Sequence, residues 1–216
     1  MKTDILLNNG GIALETNGQV SISQRGIEIK CDDKPINVRM IKIGFVYLLI
    51  DCSGSMAGSK LEQAKTGALD FAKNALTKEY VTGLVKFGSV ATHICEPIEN
   101  TEILKKHLES ISIEGSTNMT DAIILTIEKL RNRMGLRVMV IVTDGRPDDA
   151  DSALAVAKQA KKQRIEIITI GTDDANEAFL KKIASRADLN VMVSSNQLAH
   201  GIVSTINMLP KHQRGG

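Results

Sequence analysis

The sequence predicts an α/β protein with a Rossmann-like, doubly wound and mostly parallel sheet, one antiparallel edge strand and helices on both faces. From residue 43 onward, short apolar runs alternate with segments of helical period, which is the order expected of a parallel sheet covered by helices. Residues 45–50, FVYLLI, are wholly apolar, as in a strand buried on both faces. The short turn at Gly88 and Ser89 joins two strand-like runs and predicts an antiparallel pair at an edge.

The elements follow from this alternation in chain order. Strands are predicted at residues 45–50, 80–87, 90–98, 137–142, 165–170 and 191–193, and helices at 59–77, 101–108, 121–133, 149–163, 176–185 and 196–206. Gly67 lies inside the first helix and should cost about 1 kcal/mol relative to alanine. A close approach of that helix to the sheet would account for the glycine.

Residues 1–42 differ from the rest of the chain. They combine turn-forming Gly and Asn pairs with period-two alternation at 19–23 and 26–30, a pattern typical of strands with one buried face. We therefore expect a β-hairpin extension, of one or two hairpins, packed on the edge of the main domain. The predicted organisation is an extension at 1–42, a main domain at 43–208 and a flexible polar tail at 209–216.

The composition narrows the function classes. The 216 residues are 43% hydrophobic, enough for one core, and carry a net charge of +2 with dispersed Lys and Arg and only 3% aromatic residues. This balance argues against a nucleic-acid partner. Three cysteines do not form a disulfide framework. Without a signal-like start or an apolar run of about 20 residues, we expect a cytoplasmic protein that does not contact the membrane.

Side-chain oxygens follow the apolar strands. Asp51, Ser53 and Ser55 come directly after the first strand, Thr117 lies in a loop that opens a helix, and Asp144 follows the strand at 137–142. Ligands of such sheets bind at the carboxyl ends of the strands, where the strand order reverses. Oxygen donors suit Mg²⁺, Mn²⁺ or Ca²⁺ rather than zinc or copper. Two carboxylates and three hydroxyls would leave the ion positively charged and open to an outside Asp or Glu carboxylate.

Several of these features have a purely structural alternative. A helix start rich in Ser and Asp can cap itself, which would explain Ser55. Met56 is equally suited to the rim of the site and to the core. Cys52 is either a reactive thiol beside a cation or a small buried residue. Asp148 and Asp149 either shape the rim or form the Pro-led start of a helix.

The motifs together resemble a known family. DCSGS at 51–55 looks like the D-x-S-x-S motif of von Willebrand factor type A domains, and GSTNMTDAI and VTDG follow in the family's order. The likeness covers about residues 44–206, including FLKKIA at 179–184, and leaves out the first 42. It implies a metal-ion-dependent adhesion site. Ser53 and Ser55 would bind the metal directly, Thr117 directly or through water, and Asp51 and Asp144 often through water.

The resemblance implies a binding module rather than an enzyme. Cytoplasmic relatives look like adaptors for AAA+ ATPases, kinases or phosphatases, in bacteria often within stress or metal-resistance operons. We therefore expect a metal-dependent interaction with a protein partner that supplies a carboxylate, and no catalytic residues. The alternative is a Mg²⁺-dependent phosphoryl-transfer or hydrolase enzyme. Against it, only Lys60 and Arg146 lie near the motifs, no base adjoins them, and the glycine fingerprint of nucleotide-binding loops is missing.

Overall fold

The structure, a computed structural model, describes residues 3–6, 12–16, 19–23, 26–30, 39–172 and 175–212, with side chains from residue 43 onward. Its main domain contains strands β6 (Gly44–Asp51), β7 (Tyr80–Phe87), β8 (Ala91–Ile98), β9 (Arg137–Thr143), β10 (Glu166–Thr172) and β11 (Asn190–Val193). The helices are α1 (Ser59–Leu76), α2 (Thr101–Glu109), α3 (Met119–Arg131), α4 (Ala150–Lys162), α5 (Glu177–Ile183) and α6 (Leu198–Ser204).

The six strands of the main domain form one sheet in the order β11-β10-β9-β6-β7-β8. Neighbours pair in parallel, except that β8 runs antiparallel to β7 at the edge. This confirms the predicted fold class. The chain moves from β6 to β7 on one side and later to β9 on the other, so the strand order reverses between β6 and β9.

Strand β6 is the centre of the core. All eight of its residues are buried, and alternate side chains belong to two different apolar clusters. Val46, Leu48 and Ile50 pack with α1, α2 and α6 on one face, whereas Tyr47 and Leu49 pack with α3, α4 and α5 on the other. The wholly apolar run is therefore explained by helices on both sides of the sheet.

The residues before β6 form two small β-structures. Before β6, β1 (Thr3–Leu6), β2 (Ile12–Thr16) and β5 (Arg39–Lys42) form one small sheet and β3 (Gln19–Ser23) and β4 (Gly26–Lys30) form a hairpin. How this extension packs on the main domain stays a prediction.

In the segment predicted as a flexible tail, Leu209 is buried, Pro210 accepts a hydrogen bond from Tyr80 at 2.8 Å, and His212 lies against the Tyr80 ring. Residues 213–216 lie outside the described residues.

One detail of the helices differs from expectation. The predicted helix at 196–206 is α6 flanked by two short 3₁₀ turns, Ser195–Gln197 and Thr205–Met208. In the described part of the chain, no helix is both long and apolar enough to span a bilayer.

Gly67 is explained by a helix–helix contact. A Cβ at this position would lie 2.7 Å from the Cα and 2.9 Å from the carbonyl oxygen of Ala199 in α6. The prediction that Gly67 allows α1 to approach the sheet was therefore wrong, because the close neighbour is α6. The glycine lets the backbones of α1 and α6 touch, which fixes α6 across α1.

Replacing Gly67 by alanine should destabilise the protein. Overpacking against rigid backbone costs about 1 to 3 kcal/mol, although alanine favours helix formation by about 1 kcal/mol. Denaturant unfolding should therefore show a lower free energy of unfolding for Gly67→Ala. The matched control is Thr66→Ala, one residue earlier in the same helix and exposed, which should be neutral or slightly stabilising. Equal stability of Gly67→Ala and wild type would contradict the contact.

Candidate metal centre

Two acidic residues mark the reversal of strand order. Asp51 is the last residue of β6 and Asp144 directly follows β9, and these strands pair in parallel with Ile50 opposite Val142. Both carboxylates therefore leave the same edge of the sheet. Asp51 is fully buried and Asp144 is 3% exposed. This is the place where doubly wound sheets bind ligands.

The carboxylate of Asp51 is held by its own loop and by β9. Its Oδ1 accepts the backbone N–H of Ser53 at 2.8 Å, and its Oδ2 accepts the hydroxyl of Thr143. Burial raises the pKa of Asp51, the two hydrogen bonds lower it, and the charge of Asp144 raises it. The charged form thus lies in a poorly hydrated place, where a cation would offset the cost of burial.

A chain of hydroxyls links the two strand ends. The hydroxyls of Ser53 and Ser55 lie 3.1 Å apart, and Ser55 donates to Asp144 Oδ1 at 2.7 Å. Neither side chain caps a helix: Ser53 makes no capping bond, and α1 starts after Gly58 with no side-chain cap. The capping alternative is therefore wrong for Ser55, whose hydroxyl donates to Asp144 instead.

Thr117 is brought to the same place by a separate loop. Backbone bonds of 3.1 Å from Gly54 to Gly115 and of 2.8 Å from Asn118 to Gly88 tie this loop to the ends of β6 and β7. A Cβ built on Gly145 would lie 3.8 Å from the Ser55 hydroxyl and 3.9 Å from that of Thr117. Both hydroxyls therefore lie close to the turn after Asp144.

The five predicted site residues are therefore assembled from three loops. The structure brings together Asp51, Ser53, Ser55, Thr117 and Asp144. Ser55 is exposed, whereas the other four are buried. The group of oxygens consequently opens to solvent on the Ser55 side.

Three contacts escaped the sequence analysis. The Thr143 hydroxyl bonds Asp51, and the carboxylate of Asp148 accepts the backbone N–H of Thr117 at 3.1 Å. The ammonium of Lys60 donates to Asp144 Oδ2 at 2.6 Å. Lys60 had been noted only as a nearby charge. No local pattern identifies these partners, because each contact joins residues far apart in the chain.

Burial and hydrogen bonding decide between the remaining alternatives for residues near the site. Met56 and Cys52 are fully buried, so Met56 is a core residue and not part of an exposed rim. Burial raises the pKa of the Cys52 thiol to about 12, which keeps it protonated and unreactive at neutral pH. Asp149 caps α4 by accepting the N–H of Ser152 at 3.0 Å, as the structural interpretation predicted.

The donor chemistry fits a hard divalent cation. Within the described residues, no three His, Cys, Asp or Glu side chains converge, so a cation here would depend on two carboxylates supplemented by hydroxyls. All of these donors are oxygen, as Mg²⁺, Mn²⁺ and Ca²⁺ prefer. That Asp51, Ser53, Ser55, Thr117 and Asp144 hold such an ion stays a prediction.

The fold and this site define a class: a doubly wound α/β domain with a polar site where its strand order reverses. A sequence profile of the von Willebrand factor type A domain matches residues 46–205. The chain therefore belongs to the von Willebrand factor type A family.

One relative of this chain is a considerably larger protein. The magnesium-chelatase 67 kDa subunit of Chlorobaculum parvum is 27% identical over 188 residues, which cover 83% of this chain but only 30% of the subunit. This chain thus spans less than a third of that relative's length. The likeness covers the domain and not the whole of the larger protein.

Solved structures share the fold at low identity. The von Willebrand domain of the pilus tip protein Mfa5 from Porphyromonas gingivalis has a TM-score of 0.70 at 13% identity, covering 80% of this chain and 98% of that one. Manganese-loaded TRAP of Plasmodium vivax has a TM-score of 0.61 at 22% identity, covering 76% and 73%. Mussel byssus matrix protein PTMP1, with a zinc-occupied MIDAS motif, has a TM-score of 0.60 at 16% identity, covering 76% and 46%.

Removing the Thr143 hydroxyl should destabilise the protein. Thr143→Val keeps the shape of the side chain but removes the donor to the buried Asp51 carboxylate and the acceptor of the Gly145 N–H, and leaving such groups unpaired costs about 1 to 3 kcal/mol. The matched control is Thr82→Val in β7, because the Thr82 hydroxyl is buried and has no hydrogen-bond partner among the described residues. Chemical denaturation should show a loss of stability in Thr143→Val only. Equal losses would show that the hydrogen bonds of the Thr143 hydroxyl contribute nothing to stability.

Proposed function

We propose that this chain binds a divalent cation through Asp51, Ser53, Ser55, Thr117 and Asp144, and through that cation an acidic residue of a protein partner. The observation that carries the proposal is the convergence of two carboxylates and three hydroxyls at the reversal of strand order. The hydroxyl donors are neutral, so they add ligands to the ion without adding negative charge to that of the two carboxylates.

The exposure of the site supports capture of a large partner. Four of the five side chains are buried and Ser55 is exposed, so a bound ion would be reached from the Ser55 side. A carboxylate approaching from solvent would meet the positive charge there. The structural relatives that carry manganese or have a zinc-occupied MIDAS motif support a divalent ion of this kind. Because one of them holds zinc, oxygen donors do not exclude that metal, and it belongs among the ions to be tested.

We propose binding rather than turnover. The groups around Asp144 are hydroxyls and the ammonium of Lys60, which hold and orient ions. The likeness to a magnesium-chelatase subunit over 83% of this chain favours an intracellular adaptor that works with an AAA+ ATPase. We propose kinases and phosphatases as the alternative partner classes.

Metal should stabilise the folded protein through Asp51. An ion at 100 times its dissociation constant adds about 2.7 kcal/mol, and about 2 to 4 °C accompanies each kcal/mol in a protein of this size. The melting temperature should therefore rise by roughly 5 to 10 °C with saturating Mg²⁺, Mn²⁺, Ca²⁺ or Zn²⁺. Asp51→Asn should remove this rise.

The control for that experiment is Asp70→Asn. Asp70 lies in α1, is half exposed and pairs only with surface Lys73 in the described contacts, so its loss should leave the metal effect intact. A full metal-dependent rise in Asp51→Asn would refute the assignment of the site.

An acidic side chain should be the feature that the loaded site selects. A library of displayed peptides, selected on the immobilised chain with Mn²⁺, should be enriched in peptides with an indispensable Asp or Glu. Synthetic versions with Asn or Gln at that position should lose at least about tenfold in affinity, since a neutral amide binds a cation more weakly. Chelator should release the bound peptides, and peptides that ignore both changes would point to another surface.

A further inference from the structure

Thr117 lies in a loop that has no regular secondary structure of its own. Residues 111–118 form neither helix nor strand, so no ladder of local hydrogen bonds fixes their backbone. The Thr117 side chain is nevertheless buried, with 8% exposure. Ordering the backbone of such a residue costs conformational entropy. The position of Thr117 therefore depends on contacts with other parts of the chain.

Asp148 binds both polar groups of the Thr117 backbone. The two carboxylate oxygens of Asp148 lie 3.1 and 3.2 Å from the Thr117 nitrogen and accept its N–H. In return, the N–H of Asp148 donates to the Thr117 carbonyl oxygen at 3.1 Å. The bond to the carboxylate involves a charged acceptor, and such bonds are stronger than bonds between neutral groups. One residue thus fixes the backbone from which the Thr117 hydroxyl extends.

The segment that carries Asp148 is short and held at both ends. It connects β9 to α4 and begins with Asp144, a predicted residue of the metal site. Pro147 directly before Asp148 has a restricted φ, and Asp149 directly after it caps α4. Asp148 is therefore placed by a strand on one side and a helix on the other. Such a support is what a preorganised site requires.

We infer that Asp148 is a positioning residue for the metal site, which holds the Thr117 backbone so that the hydroxyl is in place before an ion binds. The inference rests on the proposed function and adds this residue to it. Asp148 acts through its acceptor oxygen and not through its negative charge. Without this contact the loop would have to be ordered when the ion binds, so metal affinity would fall while the number of bound ions stays the same.

Hydrogen exchange tests the contact in the metal-free protein. Amide exchange in residues 111–118 should be at least about tenfold faster in Asp148→Ala than in wild type, because this segment opens locally. Asp148→Asn keeps an acceptor oxygen for the Thr117 N–H and should stay within about threefold of wild type. A general loss of stability would differ from this result, because exchange would then also become faster in the central strands.

Isothermal titration with Mn²⁺ tests the consequence for binding. Asp148→Ala should bind Mn²⁺ at least about tenfold more weakly than wild type and still take up one ion per chain. Asp148→Asn should again stay within about threefold of wild type. The matched control is Asp151→Ala, which removes an exposed acid from the first turn of α4 and should change neither exchange in residues 111–118 nor binding. Melting curves establish that each variant is folded.

The possible results separate the two proposals. Wild-type exchange in residues 111–118 of Asp148→Ala, or wild-type Mn²⁺ affinity in that variant, would overturn the inference while the metal site stands. Equal losses of affinity in Asp148→Ala and Asp148→Asn would mean that the negative charge acts on the ion directly, which also overturns it. No Mn²⁺ binding by wild type would overturn the proposed function itself, and the inference with it.

Discussion

Two carboxylates are buried side by side at one edge of this sheet, and the surrounding structure compensates their charge. Asp51 and Asp144 have almost no exposure, and burial raises the pKa of Asp51. Burying these carboxylates without hydrogen-bond or ionic partners would cost much of the free energy of folding. The chain supplies hydroxyls from Thr143 and Ser55, a backbone N–H from Ser53 and the Lys60 ammonium. Ser53 and Ser55 belong both to this network and to the candidate site, so a change at either serine would affect the carboxylates as well.

The topology of the sheet accounts for where this network lies. Strand β6 has β7 on one side and β9 on the other, so the loops after β6 and β9 diverge to opposite faces and leave a crevice between them. Backbone hydrogen bonds from Gly54 to Gly115 and from Asp148 to Thr117, both 3.1 Å, connect the three loops. The loop between α2 and α3 therefore bridges the crevice and places Thr117 in it. The positions of the donors are set mainly by backbone contacts, as a preorganised site requires.

The corrections to the sequence analysis share a physical cause. A serine near a helix start can cap it or contact a distant strand, and both options satisfy the same hydroxyl. A glycine within a helix indicates that another element packs closely there, but it does not indicate whether that element is a sheet or a second helix. Met56 is apolar and suits both rim and core. In each case the residue type limits the environment, and the packing of distant elements selects it.

The sequence by itself determined the fold class and the element order, because these depend on local periodicity. The apolar run of β6 indicated a buried strand, and the polar side chains at the strand ends gave the predicted residues of the candidate site, which stay a prediction. The tertiary structure alone decided that Gly67 faces Ala199, that Thr143 supports Asp51 and that Lys60 pairs with Asp144. These contacts join residues distant in sequence, and their geometry is set only when the helices pack on the sheet.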